Sequence, residues 1–122
     1  MRDMVKATAI KQQLLEKLKE EKVFWSYEPE SISLTTVSDE YLIALTMRHL
    51  DLLEIKLLFR IFTKKRIKSA WKRILVPEGD YLYTLNRFFA WYYFDAKNPD
   101  SYLKSLITRH YNNLLKQSCP NS

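Results

Sequence analysis

Chemistry in a protein chain needs a base, a nucleophile, a set of metal ligands or a charged surface. This sequence offers chiefly the last. Its two histidines, His49 and His110, stand in neither an HxxxH nor an HExxH pattern, so the spacing sets up no two-imidazole zinc site. His49 lies near Asp51 and Glu54, but a histidine so placed reads first as an ordinary core or surface residue. Neither histidine has an arginine upstream at the spacing of small helical toxin ribonucleases. Two isolated imidazoles also give a poor basis for a nucleophilic triad, which needs a positioned base. A phosphate-cradling loop needs glycines for close backbone approach, and Gly79 is the only one. Cys119 is the only cysteine, which excludes an intramolecular disulfide and a Cys-based zinc site. The reading is therefore a non-enzyme with no catalytic residues, no metal and no cofactor.

The charged surface is the cluster Lys64, Lys65, Arg66, Lys68, Lys72 and Arg73. Lys and Arg that neutralise phosphates release condensed counterions, so such a face binds nucleic acid without reading its sequence. Helical phasing with Ile67, Ala70, Trp71 and Ile74 inward leaves Lys64, Lys65, Lys68 and Lys72 outward, with Arg66 and Arg73 flanking. A helix precedes this one across a short turn, which is the outline of a helix-turn-helix. No Asn or Gln lies on the basic helix to pair with adenine, so Arg66 and Arg73 are the candidates for guanine. Three readings stay open: a solvated cationic face, a nucleic-acid contact, or a seat for an acidic protein. A second candidate is Phe24, Trp25 and Tyr27, which either cover the core or form a docking patch for a partner.

The elements that must position these residues are helical. Ile10, Leu14, Leu15 and Leu18 form one stripe of a helix from Thr8 to Lys22, with Glu16, Lys17, Glu20 and Glu21 on a charged face. Pro29 disfavours helix at Glu28, and the Ser/Thr-rich run to Thr36 predicts extended chain or loop. Ser38 is suited to cap a helix carrying Asp39 and Glu40 in its first turn, with Leu42, Leu45 and His49 on one face. Asp51 and Glu54 have capping-box spacing at the start of a second helix, whose apolar positions are Leu52, Ile55, Leu58, Phe59 and Phe62. Thr63 is placed to cap the basic helix. After the turn at Pro77 to Asp80, with Asp80 as cap, Tyr81 to Phe94 is apolar on nearly every side. Such a helix is either central in a bundle or presents a second face to a protein or to bases. Asn98-Pro99-Asp100 is a helix start, and that helix runs to about Lys116.

Composition agrees. With 47% hydrophobic residues in 122, the chain can fill a core, and one glycine with four prolines disfavours a many-turned β fold. A net charge of +6 favours acidic partners. The longest apolar run, Phe88 to Phe94, is far short of a membrane span, and no apolar segment follows the first charges as in a secretory signal. No membrane partner is expected, and the cytoplasm is the expected compartment.

Between Val23 and Leu75 the pattern Phe24-Trp25-x-Tyr27, Tyr41-Leu42-Ile43, Asp51-x-x-Glu54-Ile55-Lys56-x-Leu58-Phe59-Arg60, Arg66-Ile67 and Lys72 resembles a small bacterial helical domain. Proteins of that family are often encoded beside AbiEii-type nucleotidyltransferase toxins. The resemblance covers under half the chain. Ala44 and Leu45 stand where the family usually has an acidic residue and an arginine, and Leu50 and Thr63 where it usually has glycine. It implies an antitoxin-like role in toxin neutralisation or operon control.

The expectation is an all-α, single-domain bundle of about six helices, with an extended aromatic segment after the first. The domain spans 8–116, with a flexible lead-in at 1–7 and a flexible tail at 117–122. Its function is expected to be non-enzymatic binding, antitoxin-like or regulatory, through a protein partner such as a toxin-like neighbour. The alternatives are a DNA- or RNA-binding regulator using helix 64–75, and a structural or mobile-element accessory protein. A homo-oligomer is compatible with all three.

Overall fold

Leucines at 14, 15 and 18 repeat at helical spacing, and in the computed structural model all three are sealed from solvent. The structure describes residues 2–23 and 33–118, and every regular element among them is helical. The helices are α1 (Arg2–Glu20), α2 (Asp39–His49), α3 (Leu52–Ile61), α4 (Lys64–Ala70), α5 (Tyr83–Tyr92) and α6 (Pro99–Ser118). A π turn (Trp71–Leu75) and a 3-10 turn (Val76–Leu82) follow α4 without a break. Counted as continuous runs, the helices number five among the described residues, the run from Lys64 to Tyr92 being kinked at Gly79 (φ 59°, ψ −127°), where the backbone leaves helical geometry. That differs slightly from the expected count of about six.

The described residues group into two compact units, Met1–Trp71 and Lys72–Ser122. In the first, α1 packs on α2 and α3, α2 packs on α3 and α4, and α3 packs on α4. Its core joins Leu14, Leu15 and Leu18 to Leu42, Ile43, Met47, Ile55, Leu58 and Ile67. Burying each such side chain contributes about 1.5–3 kcal/mol. In the second unit α5 packs on α6 and on the 3-10 turn, and α6 packs on that turn as well. Phe89, Ala90, Leu103 and Leu106 are buried there.

Several helix boundaries follow their caps. Ser38 Oγ accepts the Tyr41 N–H at 3.2 Å, Thr63 Oγ1 accepts the Arg66 N–H at 3.2 Å, and Asn98 Oδ1 accepts the Ser101 N–H at 3.2 Å. Each satisfies one amide that the first helical turn leaves orphaned. Others depart from expectation. Asp51 caps α3 through its backbone carbonyl, and its side chain does not accept the Glu54 N–H, so the expected capping box is incomplete. Asp80 does not cap an α-helix: it lies in the 3-10 turn, and α5 starts at Tyr83 with Leu82 as an uncapped N-cap. α1 begins at Arg2, before the expected Thr8. The described part of the Ser/Thr-rich segment takes the loop alternative, a turn closed by the Thr36 and Val37 amides on the Ser33 carbonyl.

Lys22 (φ 58°) ends α1 in the left-handed region. The Val23 N–H reaches the Leu18 carbonyl and the Lys22 N–H the Lys19 carbonyl, the paired bonds of a Schellman motif. In the second unit Asn86 is buried on α5 and its Nδ2 donates to the Leu75 carbonyl at 3.0 Å, where the π turn gives way to the 3-10 turn. The side chain supplies the partner that the change of helix type takes from the backbone.

Candidate functional site

On α4 the solvent face carries Lys64, Lys65 and Arg66, all exposed, with Lys68 half-buried; Ile67 and Ala70 face inward, as their spacing predicts. Ile74, expected inward, is only half-buried, because the π turn shifts the phase after Trp71. The six basic residues divide between units. Lys64, Lys65, Arg66 and Lys68 belong to the first, and Lys72 and Arg73 open the second. Phe24, Trp25 and Tyr27 lie outside the described residues.

Arg66 is not a simple surface charge. Its Nη2 donates to Asp39 Oδ2 at 3.0 Å, tying α4 to the first turn of α2. Lys11 of α1 reaches the other carboxylate oxygen at 3.2 Å. Both cations lie over the Phe62 ring, Lys11 at 5.4 Å and Arg66 at 5.1 Å from its centroid. Three helices and the turn before α4 thus share one charge cluster. Such partly exposed pairs contribute about 0–1 kcal/mol each, so the cluster orients α4 more than it stabilises the fold.

α3 extends the basic surface with Lys56 and Arg60, one turn apart and exposed. The sequence carried a signal for them: between Glu54 and Glu78 there is no acidic residue. Cations spaced over α3 and α4 without interleaved carboxylates give a field of one sign, which attracts polyanions. Beside them in sequence Leu53 is 77% exposed and Leu52 49%, although Leu52 was expected in the core.

Inside the first unit Lys17 Nζ donates to Glu54 Oε1 at 2.7 Å. The Glu54 carboxyl is held below its usual range, first by the Lys17 hydrogen bond, against burial that works the other way; Lys17 is raised, first by the same bond. This joins α1 to α3, and it replaces the exposed Lys17–Glu21 face expected on α1. Oε2 of Glu54 and the buried Oγ1 of Thr46 have no hydrogen-bond partner among the described residues.

His49 is exposed at the end of α2 instead of sharing an inward face with Leu42, and Leu45 is half-buried; the core positions are Leu42, Ile43, Ala44, Thr46 and Met47. Partial desolvation and then Arg48 lower the pKa of His49 below that of an ordinary imidazole. Among the described residues no three His, Cys, Asp or Glu side chains gather as a metal site.

The second unit holds a cleft along α5. It has a volume of about 480 Å³ and is lined by Thr84, Arg87, Phe88, Trp91 and Pro99. α5 is not apolar-buried all round: Asn86, Phe89 and Ala90 face inward, while Trp91 (59% exposed) and Tyr92 (53%) face solvent. Asp100 in the first turn of α6 accepts the Tyr83 hydroxyl at 2.6 Å and lies 3.4 Å from Arg87 Nε, which fixes that side of the cleft. The acid raises the pKa of the Tyr83 phenol.

No family model matches the chain, and neither a curated protein nor a solved structure matches it.

Proposed function

We propose that the protein is a non-enzymatic binding protein, antitoxin-like or regulatory, that holds a polyanion on the outer face of α3 and α4. The observation that carries this is the acid-free stretch from Ile55 to Pro77, with Lys56, Arg60, Lys64 and Lys65 exposed on two successive helices. Phosphates spaced along nucleic acid match such a surface through counterion release. The resemblance to proteins encoded beside AbiEii-type toxins supports operon control as the setting. A cytoplasmic, all-helical protein goes with this reading.

Fluorescence anisotropy with labelled duplex DNA and single-stranded RNA across a salt series tests it. Four phosphate contacts predict an affinity that falls roughly a hundredfold between 50 and 200 mM salt. Charge reversal of Lys56, Arg60 and Lys65 to Glu is expected to abolish binding of the duplex and flatten its salt dependence. Undiminished binding by this variant would sink the proposal.

A second reading is a protein partner, such as a toxin-like neighbour. The exposed Leu52 and Leu53 beside the cations favour it, since an apolar pair within a basic field suits an acidic protein surface. Co-purification with the product of a neighbouring gene that survives high salt and is lost in Leu53→Asp supports this reading. Loss in Trp25→Ala would bring the aromatic segment into the same interface.

A further inference from the structure

We propose that the cleft on α5 is a stacking platform for the bases of single-stranded nucleic acid. This goes beyond the polyanion face of α3 and α4: the unit, the ligand form and the contact all differ, and neither site needs the other.

The spacing makes the platform. Thr84, Arg87, Phe88 and Trp91 stand at i, i+3, i+4 and i+7, one face of α5. Pro99, the first residue of α6, closes the cleft with a rigid ring. Phe88 and Tyr92 stack at 5.2 Å with planes 20° apart, and the Trp91 ring lies 6.3 Å from Phe88. The fold leaves Trp91 and Tyr92 exposed and Phe88 half-buried, because α5 packs inward through Asn86, Phe89 and Ala90. Flat aromatic faces held open to solvent are what nucleobases stack on, whatever their sequence.

Charge selects the occupant. Arg87 lies in the cleft and its side chain is 56% exposed, while Asp100 steadies it from the Nε edge. A guanidinium beside stacked rings meets a phosphate or the face of a base. The whole chain is +6, and Lys and Arg outnumber Asp and Glu in residues 72–122 as well. A second copy would bring the same positive charge to the same face, and a proline-rich peptide would use the rings but offer no phosphate to the guanidinium edge that Asp100 does not engage.

The test compares two labelled single strands of about ten units, a thymidine oligomer and an abasic oligomer with the same phosphates. The full chain is expected to bind the thymidine oligomer about tenfold or more tighter by anisotropy. Trp91→Ala should erase that ratio and leave the abasic affinity unchanged, and Trp91→Phe should restore most of it. Thr84→Glu, an exposed substitution that places an anion in the cleft, should also collapse the ratio, so the test stands even if Trp91→Ala does not fold. Charge reversal of Lys56 and Lys65 should weaken the abasic oligomer and leave the preference for thymidine in place. Equal binding of the two oligomers by the native chain, or an unchanged ratio in both cleft variants, overturns the proposal. A dimer in sedimentation that Trp91→Ala converts to monomer, with no thymidine preference, assigns the cleft to self-association and overturns it too.

Discussion

At the residue scale, two backbone conformations set sharp expectations. Gly79 sits at φ 59°, ψ −127° inside the 3-10 turn, and a Cβ there would meet nothing within 4 Å. The cost of Gly79→Ala is therefore purely conformational. It should lower unfolding free energy by about 1–3 kcal/mol in denaturant melts, despite the open space. Lys22 is the converse, a residue with a Cβ in the left-handed region at a helix end. Lys22→Gly should stabilise by up to about 1 kcal/mol. The Lys17–Glu54 pair carries the pH dependence. The folded-state pKa of Glu54 is depressed, so its contribution is present above its ordinary pKa and is lost as pH falls through the lower folded value. Lys17 is raised, so its share is present below its ordinary pKa and is lost as pH rises through the higher folded value. The melting temperature of the native chain should drop in acid below about pH 4, and Glu54→Gln should flatten that drop.

At the element scale, α3 separates packing from exposure along a single helix. Leu58 is fully buried and Leu53 is mostly exposed. Leu58→Ala should cost about 2–5 kcal/mol, and Leu53→Ala should stay within about 0.5 kcal/mol. The periodicity of Ile55, Leu58 and Phe62 was legible because a 3.6-residue repeat fixes a face. Leu52 and Leu53 were not, since one apolar residue looks like another until a partner helix occupies one side only. The caps at Ser38, Thr63 and Asn98 were legible as well, because a short polar side chain ahead of an apolar run has few other uses. Glu54, expected only in a cap at Asp51, also bonds Lys17, thirty-seven positions away. Local spacing carries no trace of such a contact. The π turn was invisible for a similar reason: Trp71 to Leu75 fits an α pattern in sequence, and Asn86 from a later helix supports the departure.

At the scale of the whole molecule, the basic surface was legible in part. The sequence identified the α4 cations but grouped them with Lys72 and Arg73, which belong to the second compact unit, and passed over Lys56 and Arg60. Arg66 has a structural engagement that composition cannot reveal, since Asp39 and Phe62 come to it from other segments. Arg66→Gln should therefore reduce stability slightly, by up to about 1 kcal/mol, alongside any loss of ligand affinity. The cleft on α5 was half anticipated as a second aromatic face, but its Pro99 wall and the Asp100 contacts depend on how α6 starts.

The π turn also bears on chain length. Its hydrogen bonds span five residues where an α-helix spans four, so Trp71–Leu75 holds one residue more than the α pattern needs. Deleting the exposed Arg73 lets the backbone there fall into ordinary α bonds, whereas deleting a residue within α3 turns every later side chain by about 100°. Among the described residues the π turn is where a single-codon deletion is absorbed by a change of helix type, and it lies where the two compact units meet in sequence.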